Sequence, residues 1–419
     1  MARAGSSGQN EARARGGGTV RRAIIVSEDD PFSAAAVHNA RAVDDRLREL
    51  APAVKLAREN ITLLTRYEHV AAGLRDWKTF SSASRPWHDP NSVRPELLLV
   101  DDPPKHTAVR AVVAAALSPK ALARMGEAFR ADAEALISAL KHKSGATIDA
   151  VAEISRPFVY KVLPDLIGIP AEGREYMYAF GNMVWATLGP VNELFHEAMK
   201  DTGPVIEWVE RCCSRQNLAP GSLGMQMFLA ADRGEVTQEE AKLLVGILLS
   251  AAADTTVMTL ANAIRAFALF PDQYQLVRAD RSLVRAAFEE SLRWDSPSRM
   301  AGRITTRDVE IEGVVVPQGE RCGLMFGAAN RDPRQWLKPD QFDVRRDNRA
   351  HLGWGQGVHA CVGRVLAGLE ADALLGAVAR HVQAFEPAGE PEPWMTTIGH
   401  GPEKLPVRFT ADRATAWEE

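Results

Sequence analysis

The stretch His351-Leu-Gly-Trp-Gly-Gln-Gly-Val-His-Ala-Cys-Val-Gly-Arg364 concentrates several chemically useful residue types in fourteen positions. Gly353, Gly355 and Gly357 free the backbone to approach a flat or bulky group. Cys361 follows where an amphipathic helix is expected to begin, and the unpaired N–H groups and dipole of a helix start favour thiolate over thiol. Such a thiolate suits a soft metal, and cysteine is among the axial ligands of haem iron. A lone cysteine ahead of a helix is otherwise an inert packed residue.

Three other groups offer chemistry. His106 and Arg110 lie four apart, so on a helix both point the same way and can grip one anion; surface pairing with nearby acids is the plainer use. In Ser250-Ala-Ala-Ala-Asp254-Thr255-Thr256 a carboxylate and hydroxyls sit within an apolar run, where they are costly unless water or a ligand uses them. This segment is expected to interrupt its helix, because threonine can bond its own helix's carbonyls and bend it. Glu290 and Arg293 stand three apart on one helix face and can hydrogen-bond, a common spacing that carries little weight alone.

These groups need a large scaffold. The chain has 419 residues, 46% hydrophobic and 25% charged, which are ordinary globular values and ample for a core. Fifty basic against 54 acidic side chains leave a net charge of −4, which argues against a nucleic-acid surface or a polybasic membrane anchor. The longest apolar stretch, 243–253, is too short to cross a bilayer. Residues 1–22 are rich in Gly, Arg, Ala and Ser, lack an apolar signal core and read as a flexible tail. Four cysteines, Cys212, Cys213, Cys322 and Cys361, make no disulfide framework in so long a chain, so a reduced, cytoplasmic protein is expected.

Residues 23–419 read as a single domain without repeats. Apolar periodicity predicts helices over 30–50, 106–117, 119–142, 155–167, 173–188, 192–213, 237–270, 282–294 and 362–382. Short strands are predicted at 54–56, 61–65, 303–306, 309–311, 314–316 and 407–410. A mostly α fold with small β-sheets follows. No glycine-rich phosphate loop is present, so a nucleotide cofactor bound by this chain is not expected.

The cysteine loop resembles the haem-binding loop of the cytochromes P-450, roughly Phe-Gly-x-Gly-x-His-x-Cys-x-Gly, with Trp354 in place of the phenylalanine. The other blocks fall in that family's order, and Ala329-Asn-Arg-Asp-Pro333 is a further one. The resemblance implies the triangular-prism P-450 fold, haem b ligated by Cys361, and propionates held by His106, Arg110, Arg303 and His359. It implies that Asp254 and Thr255 form the acid–alcohol pair serving dioxygen, with Asp254 relaying protons. The family's usual glycine is Ala252 here. Glu290 and Arg293 become a structural lock, with a third partner left open because Gln341 stands where many members have arginine. Electrons from NAD(P)H must arrive through separate proteins, with a ferredoxin and its reductase expected and Arg364 a candidate contact.

A finer resemblance, carried by Gly189-Pro-Val-Asn-Glu-Leu194 and Asn217-Leu-Ala-Pro-Gly221, is to bacterial members that O-demethylate para-methoxybenzoates. Their carboxylate-binding pair on the central helix is Gly246-Ile247 here, and the preceding loop reads Val93-Arg94-Pro95-Glu96, leaving Arg94 as a possible clamp. Arg94, Trp185, Leu188, Ile247, Ala251, Ser298, Arg299 and Gly302 are the expected substrate pocket. A neutral methoxyarene or lignin-derived phenol of guaiacol or syringol type is therefore the expected substrate. An aromatic-acid demethylase, a peroxide-driven peroxygenase and a haem sensor or carrier are the alternatives. A zinc site on His359 and Cys361 would lack ligands.

Overall fold

The computed structural model describes residues 22–83 and 97–412. The expected tail thus lies outside the described residues except for Arg22, which bridges to Val314, and Arg94 lies outside them too.

The organising element is the central helix, Gln238–Leu269. Thr237 starts it with a reciprocal capping box: its hydroxyl accepts from the N–H of Glu240, whose carboxylate accepts from the N–H of Thr237. Pro271 ends it by opening the next helix. Every residue from Thr256 to Ile264 is buried, so its apolar length serves this chain's own core. The expected interruption at 250–256 is absent. Ser250, Thr255 and Thr259 donate their hydroxyls to the carbonyls of Gly246, Ala251 and Thr255, satisfying them within an unbroken helix.

Around it pack a tyrosine-bearing helix, Arg156–Ile167, and helices Met177–Thr187, Leu223–Asp232 and Val284–Trp294. The helix after the cysteine, Arg364–His381, packs on Val284–Trp294 and on Met125–Ala139. A six-stranded mixed sheet runs in the order 25–27, 53–56, 61–64, 321–325, 300–305, 80–81. A second sheet orders 382–387, 406–411 and 147–149, and two short pairs complete the β-structure among the described residues.

Several expected helices are divided. The 30–50 segment becomes Ala34–His38 and Ala40–Leu50, broken at Asn39, whose ψ of 32° is not helical. The 192–213 segment splits around Asp201, at φ +50°, and restarts at Gly203-Pro204. The 119–142 segment splits at Ala123–Arg124. Helices Tyr67–Arg75, Leu223–Asp232 and Pro271–Ala279 were not expected, nor was strand Arg321–Met325, whose sequence lacks alternation because four of its five residues are buried.

Candidate active site

The cysteine loop is fixed from three sides. The Cys361 N–H donates to the Trp354 carbonyl at 2.7 Å and the Gly355 N–H to that of Leu352 at 2.8 Å. The Leu352 N–H donates to Asn330 Oδ1 at 2.7 Å, which gives the Ala329–Pro333 block its task. Gly357 has φ +70°, and a Cβ there would stand 2.4 Å from the carbonyl oxygen of Leu74. Gly357→Ala is therefore expected to displace the loop and abolish stoichiometric haem uptake, measured as haem per protein; full occupancy would refute this.

Behind the loop, Arg293 grips Glu290 through Nε at 2.9 Å and NH2 at 2.8 Å, both side chains being fully buried. Arg293 also donates to the carbonyls of Asn330, Pro339 and Gln341. The third charged partner is Arg346, whose Nε reaches Glu290 Oε1 at 3.0 Å, while Gln341 contributes only its carbonyl.

In front of the loop opens a cavity with about 950 Å³ of empty space, partly open to solvent. Cys361 faces this space, and the N–H groups of Gly363 and Arg364 at the helix start reach its sulfur. Burial pushes the thiol up from its usual value, and those two N–H groups offset only part of this. Four cationic or donor side chains converge on one side. His106 and His359 lie ring to ring at 4.4 Å, and Arg110 donates to the Ala360 carbonyl at 2.5 Å. Arg303 is buried beside them and donates to the Gly302 carbonyl. Burial together with Arg303, His106 and Arg110 drives His359 down to about 3, and burial takes Arg303 down to about 10. Both ring nitrogens of His106 and Nε2 of His359 are buried without hydrogen-bond partners among the described residues. This excess of unmet donors, next to an open thiol, fits a flat dianionic metal macrocycle such as haem b.

The opposite wall is apolar: Leu98, Leu99, Leu244, Ile247, Leu248 and Ala251, with Thr255 presenting its hydroxyl there. Ala251 is exposed and Ala252 half-buried between the buried Ser250 and Ala253, so the cavity cuts against the central helix at this point.

Asp254 points elsewhere. It is 2% exposed, and its Oδ1 accepts from the Tyr160 hydroxyl at 2.8 Å. Its Oδ2 has no partner among the described residues and faces Gly181, where a Cβ would lie 1.8 Å away. Burial pushes the carboxyl up to about 7, against the Tyr160 hydrogen bond and the charge of Arg156. Arg156 pairs with Glu403 at 2.8 Å, both partly exposed.

Trp185, Leu188, Ser298, Arg299 and Gly302 fall outside this lining. Arg299, expected in the pocket, is 1% exposed and committed to Asp44 at 2.6 Å and to the Pro31 carbonyl. Trp185 stacks edge-on against Trp394 at 5.5 Å, and Leu188 caps the same helix. Ser298 bridges to Gly399, and Gly302 pairs with Gly323 inside the sheet. Sequence reasoning missed Glu370 in the cavity wall. It is fully buried, and burial raises it to about 8, offset only in part by the Thr256 hydroxyl. It also missed Tyr160 and Arg346, which no motif marks.

The family profile described as Cytochrome P450 matches residues 171–407. The chain is 40% identical over 391 residues to "Cytochrome p450 CYP199A2" of Rhodopseudomonas palustris, spanning 91% of this chain and 93% of that protein. It is 30% identical to "Cytochrome P450 109" of Bacillus spizizenii over 82% of this chain and 85% of that one. Among solved structures it superposes on CYP109Q5 from Chondromyces apiculatus with a TM-score of 0.78 and 28% identity, covering 92% and 99% of the two chains.

Proposed function

The chain belongs to the cytochrome P450 family and is a haem-thiolate monooxygenase; we propose that it oxidises a small neutral aromatic substrate, by O-demethylation of a methoxyarene or lignin-derived phenol. The observation that carries the substrate class is the cavity wall beside the central helix. Among the described residues it holds aliphatic side chains and the two hydroxyls of Thr255 and Thr256, while Arg299, a cation expected near it, is ion-paired to Asp44. A flat apolar ring gains by burial against such a wall, and a carboxylate would lack a partner there.

Haem b, when bound, supplies dioxygen activation and C–H oxidation with electrons drawn from NAD(P)H through partner proteins. We assign the iron ligand to Cys361 and the two propionates to His106, Arg110, Arg303 and His359, on the strength of the partnerless ring nitrogens of the two histidines and the two guanidinium groups beside them. Thr255, whose hydroxyl proton goes to the Ala251 carbonyl, keeps lone pairs free to hold a water at the cavity edge. Asp254 stores a proton near neutrality one residue away. For a methoxyarene the balance is one dioxygen, two electrons and two protons in, with one water and a hydroxymethyl ether out; the ether collapses to phenol and formaldehyde. The expected electron donor is a ferredoxin with its reductase. The expected site of action is the cytoplasm.

The test is an optical titration of the haem spin state with 4-methoxybenzoate beside neutral guaiacol, syringol and 4-methylanisole. Shifts are expected with the neutral arenes and not with the benzoate. A strong benzoate shift would overturn the substrate class and point to a rebuilt carboxylate clamp.

A further inference from the structure

The tryptophan that replaces the phenylalanine of the cysteine loop carries an indole N–H next to a thiolate, and that N–H has a definite partner. Trp354 Nε1 donates to Glu289 Oε2 at 2.6 Å. The same carboxylate accepts from His351 Nε2 at 2.8 Å and from Arg364 at 3.2 Å. The histidine's role is set by its other nitrogen: Nδ1 accepts the Gly353 N–H at 3.0 Å, so the ring proton sits on Nε2 and points to Glu289. The Arg364 guanidinium also lies over the indole, 5.8 Å from its centroid, and Phe288 packs against it at 6.0 Å.

Glu289 is buried, and burial alone would raise its pKa. The bonds from His351 and Trp354, with the charges of His351 and Arg364, instead hold it down to about 2, so it is an anion at all working pH values. It stands beside Glu290 of the lock but makes a separate set of contacts. Cys361 meanwhile takes its N–H bonds from Gly363 and Arg364 of the backbone. Trp354 and Cys361 line the same cavity, and the Trp354 carbonyl receives the Cys361 N–H, so the indole is within the cysteine's immediate surroundings.

We propose that Glu289 is a positioning residue for the iron ligand: by holding the indole N–H of Trp354, it keeps that donor off the Cys361 sulfur and preserves the sulfur's electron donation. This rests on the haem-thiolate reading of Cys361. A hydrogen bond to the sulfur would withdraw charge from it and favour the reduced haem. The bulkier, polar residue is therefore tolerated in the loop because the preceding helix supplies an acid to hold it.

The test is the haem reduction potential of the holoenzyme in a double-mutant cycle. Trp354→Phe removes the N–H and should leave the reduction equilibrium within about twofold of the parent. Glu289→Leu removes the acceptor, frees the indole and should favour the reduced state about tenfold, a rise of about 59 mV for one electron. Glu289→Leu with Trp354→Phe should return to within about threefold of the parent. Equal shifts in the single Leu and double variants would mean that lost charge alone acts, and would overturn the proposal. A tenfold shift in Trp354→Phe alone, against reduction, would overturn it as well, since the N–H would already be on the sulfur. Where Glu289→Leu fails to bind haem, Glu289→Gln, which loses the charge but keeps an acceptor oxygen for the indole, should stay within about threefold of the parent, and a tenfold shift in it would overturn the proposal. Loss of a thiolate-type spectrum in the parent enzyme would instead refute the ligand assignment.

Discussion

Asp254→Asn is expected to lower substrate turnover about a hundredfold at neutral pH while haem content and substrate binding stay unchanged. The carboxyl is fully enclosed, keeps one oxygen without a partner and is raised to about 7 by burial, so near neutrality it holds a proton that it can release. Asparagine has nearly the same shape and keeps an oxygen for the Tyr160 hydroxyl, but it carries no acidic proton. Electrons should then leave as hydrogen peroxide. Coupling in the parent should likewise decline as pH rises through about 7, where the acid form is lost. Tyr160→Phe should move that decline to higher pH, because the Tyr160 bond favours the ionised carboxylate and opposes burial.

Stability gives the same acid a second signature with its sign fixed. The folded pKa lies above the ordinary carboxylate value of 3.8, so its contribution to stability is fully present below that value. It is lost as pH rises through about 7, where the folded chain must ionise a buried group. A neutral amide in its place would carry no such penalty. Asp254→Asn should therefore gain stability over the parent on the order of a few kcal/mol at about pH 8, an advantage that shrinks towards about pH 4. Denaturant midpoints of the two holoenzymes at both pH values measure this. Equal differences at the two pH values, together with undiminished turnover, would mean that Asp254 is not the proton store. A variant that is more stable yet catalytically poor is the pattern expected where a fold keeps a costly buried acid for its chemistry.

The parts legible in the sequence were those whose neighbours in space are also neighbours in the chain. The glycine spacing before Cys361, the four-residue step from His106 to Arg110 and the three-residue step from Glu290 to Arg293 each define a local geometry. The strands at 309–311 and 314–316 matched for the same reason, being the two arms of one hairpin. The missed residues act across the fold. Tyr160 meets Asp254 across 94 positions and Arg346 meets Glu290 across 56, and neither tyrosine nor arginine announces such a partner. Arg299 was misplaced because an arginine beside a predicted pocket strand looks free until Asp44, 255 positions earlier, is brought against it. Glu370 went unmarked because a single acid within a helix carries no spacing signal, yet the structure buries it in the cavity wall.

The Glu290–Arg293 pair should carry a large stability effect among the polar contacts of the described residues. Both side chains are fully buried, and Arg293 satisfies three carbonyls besides its acid. Replacing such a pair by well-packed apolar groups can be neutral, but removing one member leaves the other charged and enclosed. Glu290→Gln is therefore expected to destabilise the holoenzyme by about 3–5 kcal/mol, read from its denaturant midpoint. Arg293→Lys should do comparable harm, since lysine has no planar fork to serve the carboxylate and the Asn330, Pro339 and Gln341 carbonyls together. The damage should reach the iron site by a traceable route. Arg293 holds the carbonyl of Asn330, whose side chain holds the N–H of Leu352, whose carbonyl receives the Gly355 N–H in the turn that presents Cys361. Haem retention under dilution should thus fall in step with stability in both variants. An Arg293→Lys enzyme with the parent's midpoint and haem retention would show that the loop does not depend on the lock. The lock would then be separate from the site it stands behind.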